Sequence, residues 1–336
     1  MSASLRTTIA ALGLGVMLGA GGAQAEGFYE GKVVTLIVPH SASGGYARYS
    51  QLLAPRIAEE LGADEVRIEH HSGAGGILGS NLVWHAEPDG LTIGLSSGSS
   101  LMLASLAGGE GVQFDATEFT YLGRPTADDR VIFVGKDSPI QSMQDVIELD
   151  RPFRIPSQGV DDDFYGMAML ADTLGFEVEF ITGYEGGADT TLAVIKGDGD
   201  GRLTSWPSAI PMLQTGDVRP ILTVDEERYP DYPDVPTALE LASDPEKQKI
   251  LQALMNIQSL HRSFFGPPGI PPDVAEEMRA AIMAVVNDPE VIETANSQDL
   301  PLNPMHGVKQ QEMVAEIYEA SGEIPPILDA AVASIQ

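Results

Sequence analysis

The chain has 336 residues, of which 49 are acidic and 19 are basic, so its formal net charge at pH 7 is −30, and it contains no cysteine. Nucleic acids and anionic membrane surfaces are bound through clusters of Lys and Arg, so we exclude both as partners. The lack of cysteine excludes disulfides, thiolate catalysis and cysteine metal sites. A chain of this length accommodates two α/β domains of ordinary size.

The first 25 residues have the pattern of a secretory signal peptide. Arg6 precedes an apolar stretch from Ile9 to Leu18, and Ala23-Gln24-Ala25 forms a small-x-small cleavage site. The apolar stretch is too short to span a bilayer. We therefore expect residues 1–25 to be removed and the mature chain to begin at Glu26, outside the cytoplasm.

From Val33 onward, short β-rich runs alternate with amphipathic stretches: VVTLIV, a helix after Tyr46, VRIEH, ILGSNLVWHA and LTIGLSS. This βαβαβ order predicts a largely parallel sheet with helices on its faces. In the first helix, every fourth residue is apolar or aromatic, which predicts one buried face made by Tyr49, Leu53, Ile57 and Leu61. Pro55 lies within this helix and predicts a kink or a broken turn.

A second block begins near Thr126. Its β-rich runs are RVIFVG, RIPSQG, EVEFITGY, GRLTSW and RPILTV, and its helices lie around Phe164 to Leu174 and from about Asp189. The segment from Thr237 is mostly helical, with one more apolar run at RSFFGPPG. The same alternation of strands and helices predicts a second α/β unit.

Glycine- and serine-rich corners follow the first three predicted strands, at Ser41–Tyr46, Ser72–Ser80 and Ser96–Ser100. In an open parallel sheet, ligands bind outside the carboxyl ends of the strands, where such corners meet. Backbone N–H groups in these corners and at helix N-termini bind anions. Each hydrogen bond to a carboxylate contributes about 1.5–3 kcal/mol, so a few of them suffice for the roughly 8 kcal/mol of a micromolar ligand.

Nucleotide and metal sites fit these motifs poorly. None of the corners contains the lysine of a Walker loop, and Leu78 occupies the position of the third glycine in the dinucleotide fingerprint. The segment Gly197–Gly201, GDGDG, lacks the third acidic ligand and the distal glutamate of a calcium loop. His70 and His71 are adjacent on a predicted strand and so point to opposite faces. We therefore predict neither a cofactor nor a metal.

A serine hydrolase is the alternative function. The segment Gly94–Gly98, GLSSG, matches the G-x-S-x-G nucleophile elbow with Ser96 as the nucleophile, and it follows a predicted strand as that motif requires. His261 and His306 lie downstream in a permissible order. The residues after the motif, SSLMLASLAGG, are a poor start for the helix that an elbow needs.

In their order along the chain, the motifs resemble those of the substrate-binding receptors of tripartite tricarboxylate transporters, also called Bug receptors. The matching segments include FYEGKVVTLIVPHSASGGYARYSQLLAP, GAGGILGSNLVWHAEPDGLTIG, GYEGGADTTLAVIKGDGDG, RYPDYPDVPTALE and FGPPGIPPDV. The resemblance implies a two-lobed periplasmic binding fold of the type II kind, each lobe a mixed, mostly parallel sheet flanked by helices. Residues 26–125 and 225–336 would form lobe 1, and residues 126–224 lobe 2.

The resemblance also implies a function. The protein would be a monomeric periplasmic receptor that does no chemistry, binds a small organic carboxylate between its lobes by hinge closure, and delivers it to the permease subunits of a transporter. A di- or tricarboxylate is the first expectation for the ligand. An acidic amino acid and an aromatic carboxylate are the alternatives, the latter because Trp206 and Tyr184 offer rings for stacking.

The ligand-binding residues implied by the resemblance lie at the same corners. In lobe 1 they are His40, Ser41, Ser43, Gly44, Gly45, Tyr46, Gly73, Ala74, Gly75, Gly76, Ser96, Ser97, Gly98 and Ser99. In lobe 2 they are Ser157, Gln158, Gly159, Tyr184, Gly186, Ser205, Trp206 and Ser208.

This sequence departs from the usual family pattern at a few positions. The first corner commonly reads Gly-Gly-Gly-Tyr-Asp but here reads SGGYA, Ser43–Ala47, and His40 precedes it where an aromatic residue is common. His70 and Ser72 replace an asparagine and a proline at the second corner. We expect these positions to set the receptor's own ligand preference. Residues 161–163, three consecutive aspartates, either face the cleft, where they would suit a ligand amine, or cap and solvate a helix.

Overall fold

The computed structural model describes residues 27–109, 111–127, 129–322 and 324–334, so the predicted signal peptide lies outside the described residues. The strands are β1 Val33–Val38, β2 Glu65–His70, β3 Thr92–Ser96, β4 Thr120–Arg124, β5 Arg130–Gly135, β6 Phe153–Pro156, β7 Val178–Ile181, β8 Gly201–Ser205, β9 Val218–Val224, β10 Ser263–Gly266 and β11 Met305–His306.

The helices are α1 Gly45–Leu61, α2 Ile77–Trp84, α3 Gly98–Ala107, α4 Met143–Ile147, α5 Asp162–Leu174, α6 Gly187–Lys196, α7 Trp206–Thr215, α8 Ala238–Leu241, α9 Pro245–Gln258, α10 Pro272–Val286, α11 Pro289–Ser297, α12 Gly307–Ala320 and α13 Pro325–Ala333. A single 3-10 turn at Ala74–Gly76 precedes α2. Within the described ranges, we find no helix with the length and apolar character needed to cross a bilayer.

The strands form one large sheet and two small ones. The large sheet has the order β11-β4-β10-β3-β1-β2, and the small ones are β8-β5-β9 and β6-β7. We refer to the part built on the large sheet as the first lobe and to the part built on the two small sheets as the second lobe. The chain passes from the first to the second between β4 and β5.

The expectation of mostly parallel sheets is wrong. Among the described residues, β1 pairs in parallel with β2 and β3, and β6 with β7, but the other pairings are antiparallel. The βαβ rhythm identified the parallel strands correctly, because a helix returns the chain to the same end of the sheet. Strand β10 instead enters the first sheet after the chain returns from the second lobe, and it pairs antiparallel with β3 and β4.

Helix α1 shows how the sequence pattern becomes packing. Its predicted stripe, Tyr49, Leu53, Ile57 and Leu61, is buried against the first sheet and α10. The helix runs through Pro55 without a break, and Gly62 ends it in the left-handed conformation. The expected broken turn is therefore absent from α1, and the periodic apolar face determines the helix.

Helices near the C-terminus connect the two lobes. Helices α9 and α13 follow the second lobe in sequence, yet both pack against α5 of that lobe and against α3 of the first. One hydrophobic cluster accordingly contains residues of both lobes, among them Leu103, Tyr165, Leu254 and Leu328. The two lobes thus share part of their core.

Candidate ligand-binding site

A cavity of about 810 Å³ lies between corners of the first lobe and corners of the second. Helix N-termini and strand ends from both lobes form its wall. Many residues expected at the binding site line it: His40, Ser41, Ser43, Gly44, Gly45, Tyr46, Gly73, Ala74, Gly75, Gly76, Gln158, Tyr184, Ser205 and Ser208.

The third corner of the first lobe lies behind this wall. Its expected site residues, Ser96, Ser97, Gly98 and Ser99, are buried and do not line the cavity. Ser97 caps α3 and donates a hydrogen bond of 3.0 Å to Oδ2 of Asp162, which does line the cavity. The third corner therefore does not face the cavity itself but positions Asp162, which does.

The remaining expected residues, Ser157, Gly159, Gly186 and Trp206, also lie outside the wall. Trp206 is fully buried, with its ring stacked on Tyr229 at 4.1 Å and near Tyr232 at 5.1 Å between ring centroids. Its ring therefore packs in the core of the second lobe and faces away from the cavity.

The corners of the two lobes are in contact beside the cavity. Gly75, at φ 66°, lies so close to the second lobe that a Cβ would be 2.6 Å from the carbonyl oxygen of Val160. A Cβ at Gly186 would be 3.2 Å from Oγ of Ser41. Glycine at Gly75 thus permits a close approach of the two lobes beside the cavity.

The first corner brings a helix N-terminus and a cation together. Gly44 has φ 95°, a conformation that favours glycine, and α1 begins at the next residue. A Cβ at Gly45 would lie 2.8 Å from Nη1 of Arg262, so glycine is what lets the guanidinium lie against the start of the helix. The N-terminal N–H groups of a helix and a neighbouring guanidinium both favour an anion.

Arg262 is held in place from several directions. It is 2% exposed, and its guanidinium carbon lies 5.0 Å from the ring centroid of Tyr46 and 4.5 Å from that of Tyr49. Its Nη2 lies 3.5 Å from Oγ of Ser205, which in turn bonds to Oγ of Ser208 at 2.9 Å. The expected residues of the two lobes thus meet at an arginine that the sequence analysis did not select.

A second group of charges lies at the same end of the cavity. Arg130 forms ion pairs with Asp162 at 3.2 Å and with Asp163, and Arg202 pairs with Asp163 at 3.2 Å. We call Arg130, Asp162, Asp163 and Arg202 the charge cluster; all four line the cavity. His261 approaches it, with Nε2 3.7 Å from Oδ2 of Asp162.

The three consecutive aspartates divide into two roles. Asp161 caps α5 by accepting a hydrogen bond of 2.9 Å from the backbone N–H of Phe164, whereas Asp162 and Asp163 line the cavity and pair with arginines. Burial and the neighbouring charge of Asp162 raise the pKa of Asp161 to about 6. Burial also opposes ionisation of Asp162, but Arg130, His261 and Ser97 outweigh it and lower the pKa of Asp162 to about 2.

The arginines of this site do not belong to any of the glycine- and serine-rich motifs of the sequence. Arg130 begins the apolar strand β5, Arg202 lies within β8 and Arg262 directly precedes β10, and all three are buried. Arginine is rarely buried unless it is paired. The sequence did offer one indication of this site, namely Arg130 in the otherwise apolar run RVIFVG of a chain with only 19 basic residues.

The geometry does not favour a nucleophilic Ser96. Helix α3 does follow β3, contrary to expectation, and Nε2 of His40 lies 3.2 Å from Oγ of Ser96. A nucleophile elbow, however, presents an exposed Oγ, and Ser96 is 1% exposed and does not line the cavity. Of the expected partner histidines, His261 contacts the charge cluster and His306 caps α12.

The protonation of His40 makes the stability of the protein depend on pH. Burial, opposed by the charge of Asp162 and assisted by those of His261 and Arg262, lowers the pKa of His40 from 6.5 to about 4. Between those values the unfolded chain binds a proton that the folded chain does not, so His40 costs stability as the pH falls from 6.5 towards 4. Asp161, whose pKa is raised, has the opposite effect as the pH falls from about 6 to 4.

A His40→Gln variant is expected to separate these two effects. Relative to this variant, the wild-type protein should lose up to about 3 kcal/mol of unfolding free energy between pH 6.5 and pH 4. Urea denaturation at a series of pH values measures the difference. His85→Gln, at an exposed position, is the matched control. A difference between wild type and His40→Gln that does not vary with pH would contradict the assignment.

Metal ligation finds no support in the described ranges, where no group of three or more His, Cys, Asp or Glu side chains is placed to hold an ion. The polar groups that line the cavity include hydroxyls, backbone N–H groups, arginines, two histidines, the paired carboxylates of Asp162 and Asp163, and Glu185. This arrangement suits recognition of an organic anion by hydrogen bonds and charge.

Comparison with known proteins finds a family and relatives that match most of the chain. The family model described as "Tripartite tricarboxylate transporter family receptor" matches residues 50–328. A UPF0065 protein of Bordetella pertussis is 25% identical over 97% of this chain and 96% of its own length.

Two solved structures from Rhodopseudomonas palustris share the fold. MatC (Rpa3494) with bound malate is 21% identical, with a TM-score of 0.73 over 88% of this chain and 99% of the other. Rpa4515 with adipate is 19% identical, with a TM-score of 0.70 over 88% of this chain and 97% of the other. The two-lobed α/β fold expected from the sequence is confirmed.

Proposed function

The chain belongs to the tripartite tricarboxylate transporter receptor family, and from this membership we propose that it is a periplasmic solute receptor for a small organic carboxylate. The ligand binds in the cavity between the lobes and is delivered to the permease subunits of a transporter. The protein acts as a monomer and catalyses no reaction on its ligand.

The observation that carries this proposal is the electrostatic character of the cavity. In a chain of net charge −30, arginines from both lobes line the cavity, and one of them, Arg262, lies against the N-terminus of α1. Guanidinium and backbone N–H groups form short, charge-assisted hydrogen bonds with carboxylates. Arg262 and the corner at Gly44 and Gly45 would hold one carboxylate, with Ser205 and Ser208 closing from the second lobe.

The contacts between the corners of the two lobes support hinge closure. Gly75 touches Val160, and Ser41 lies beside Gly186, so both corners of the first lobe bear on the second. A ligand that contacts both lobes has a higher affinity for the closed form and shifts the population towards it. The closed form would then present the ligand for delivery.

The ligands of the similar structures agree with an organic acid, since malate and adipate are both carboxylates. A di- or tricarboxylate is the expectation that rests on the family. An acidic amino acid would bind if its ammonium group were accepted by Asp162 and Asp163. An aromatic acid would have to stack on Tyr184 alone, because the ring of Trp206 faces away from the cavity.

A panel of organic acids tests the receptor proposal. At 100 times its dissociation constant, a true ligand should add about 2.7 kcal/mol to the unfolding free energy, which a thermal-shift assay detects. The panel includes malate, citrate, adipate, glutamate, benzoate and hexanoate. If none of these acids raises the melting temperature, the proposal fails.

The contact between His40 and Ser96 makes a serine hydrolase the second candidate. Hydrolysis of a chromogenic ester by the purified protein, abolished in a Ser96→Ala variant, would favour it. We expect the wild type and the variant to be equally inactive, because the hydroxyl of Ser96 is buried.

A further inference from the structure

The cavity has an apolar end in addition to its charged end. Helix α6 presents Ala188, Leu192 and Ile195 to it, and α7 presents Pro207 and Pro211, four residues apart, together with Met212. Residues three or four apart lie on the same face of a helix, so each helix contributes one continuous apolar strip. These strips lie on the second lobe, beyond the residues that meet Arg262.

In the apolar strip of α6, Ala188 and Leu192 are exposed, whereas Ile195 is half-buried and packs partly against the core of the second lobe. Leu192 is 46% exposed and belongs to no hydrophobic cluster, whereas its neighbour Val194 is 2% exposed and faces the core. A leucine on the wall of a cleft loses its contact with water only when something apolar occupies that cleft. The strip therefore indicates an apolar surface on the ligand.

The charged end of the cavity reaches the first turns of α6. Nη1 of Arg202 donates hydrogen bonds to the carbonyl oxygen of Gly187 and, at 2.7 Å, to Oγ1 of Thr191. Leu192 is the next residue, and Ile195 lies one turn further along the same helix. A ligand that lies along α6 therefore changes from charged to apolar along its length.

The charges of the lining fit one carboxylate better than three. Within the described part of the chain, the charged residues that line the cavity are Arg48, Arg130, Arg202, Arg262, Asp162, Asp163 and Glu185. Asp162 and Asp163 pair with Arg130 and Arg202, so the charge cluster is neutral as a whole. Buried ligand charges need compensation, and the charge cluster offers no net positive charge to a second or third ligand carboxylate.

From the neutral charge cluster and the apolar strips, we propose that the natural ligand is an amphipathic monocarboxylate. Its carboxylate binds at Arg262 and the first corner, and its alkyl chain or aromatic ring lies along α6 and α7. This inference rests on the proposed function and narrows its ligand class. Leu192 and Met212 are then specificity-determining residues.

A series of straight-chain monocarboxylates from butanoate to octanoate tests the inference by isothermal titration calorimetry. Affinity is expected to rise about fourfold for each added methylene group until the strips are covered. Hexanoate should bind more tightly than malate or citrate. Equal affinity along the series, or tighter binding of malate or citrate than of any monocarboxylate, would overturn the inference while leaving the receptor proposal intact.

Variants of the strips provide the second arm. Leu192→Asn and Met212→Gln are each expected to weaken octanoate binding about tenfold or more while changing butanoate binding less than about twofold. Leu82→Asn is the matched control, since Leu82 is 43% exposed on α2 and does not line the cavity. An equal loss for both acids would assign these residues to folding and overturn their role in specificity. If no acid binds the wild-type protein, the proposed function itself fails.

Discussion

An Arg130→Met variant is expected to lose about 3–5 kcal/mol of unfolding free energy at pH 7. Arg130 is 2% exposed and pairs with both Asp162 and Asp163, so its removal leaves two carboxylates with Arg202 as the remaining arginine of the charge cluster. A buried charge that loses its partner keeps its full desolvation penalty. Urea denaturation monitored by circular dichroism measures the loss.

The pH dependence of this variant provides an internal check. In the wild type, Asp162 contributes stability above pH 4, and this contribution is lost as the pH falls towards 2, because the pKa of Asp162 lies at about 2. In the variant the carboxylate gains little by ionising, so the difference from wild type should shrink as the pH falls from 4 towards 2.

Two further variants complete this experiment. Combining Arg130→Met with Asp162→Asn should restore part of the lost stability, because the negative charge of Asp162 is removed as well while the pair between Asp163 and Arg202 remains. Arg56→Met is the control, since the side chain of Arg56 is 51% exposed in a surface ion pair with Glu59, and it should change stability by less than about 0.5 kcal/mol. Similar losses from Arg130→Met and Arg56→Met would contradict the structural role of the charge cluster.

A Gly45→Asp variant is expected to bind its carboxylate ligand at least about 100-fold more weakly, which corresponds to roughly 3 kcal/mol. A side chain at Gly45 points at the guanidinium of Arg262, whose nitrogens lie 2.8 and 2.9 Å from the position of the new Cβ. The introduced carboxylate would take the place proposed for that of the ligand. Calorimetric titration with the tightest acid of the panel measures the change.

The same variant should remain folded. Aspartate in the first turn of a helix interacts favourably with the helix dipole, and here it also lies next to a cation. Gly322→Asp is the control, because Gly322 is exposed and a Cβ there meets nothing within 4 Å. Unchanged affinity in Gly45→Asp would remove the first corner from the binding site.

Local sequence signals located the first and second corners of the site. The run VVTLIV, the glycines that follow it and the four-residue period of α1 are all contained within about thirty residues. Strand, turn and helix follow from such patterns because they depend on neighbours along the chain. Gly44 and Gly75 do occupy conformations with positive φ that favour glycine.

The arginines of the cavity escaped prediction for the opposite reason. Arg130 meets Asp162 from 32 positions away, and Arg262 meets Gly45 from more than two hundred. The periodic pattern of a single helix or strand gives no information about contacts between residues so far apart in the chain. The direction of a side chain was equally hidden, because whether Trp206 faces ligand or core depends on Tyr229 and Tyr232, which reach it from a later loop.

The sequence by itself determined the predicted export signal, the α/β class, the lysine-free anion corners and the family resemblance, since composition and short-range pattern carry all of these. Only the tertiary structure decided which corners line the cavity, that arginines and aspartates neutralise one another at its charged end, and that α6 and α7 give it an apolar end. Burial and ion pairing are properties of surfaces brought together from distant parts of the chain, and they exist only after the lobes have folded and closed.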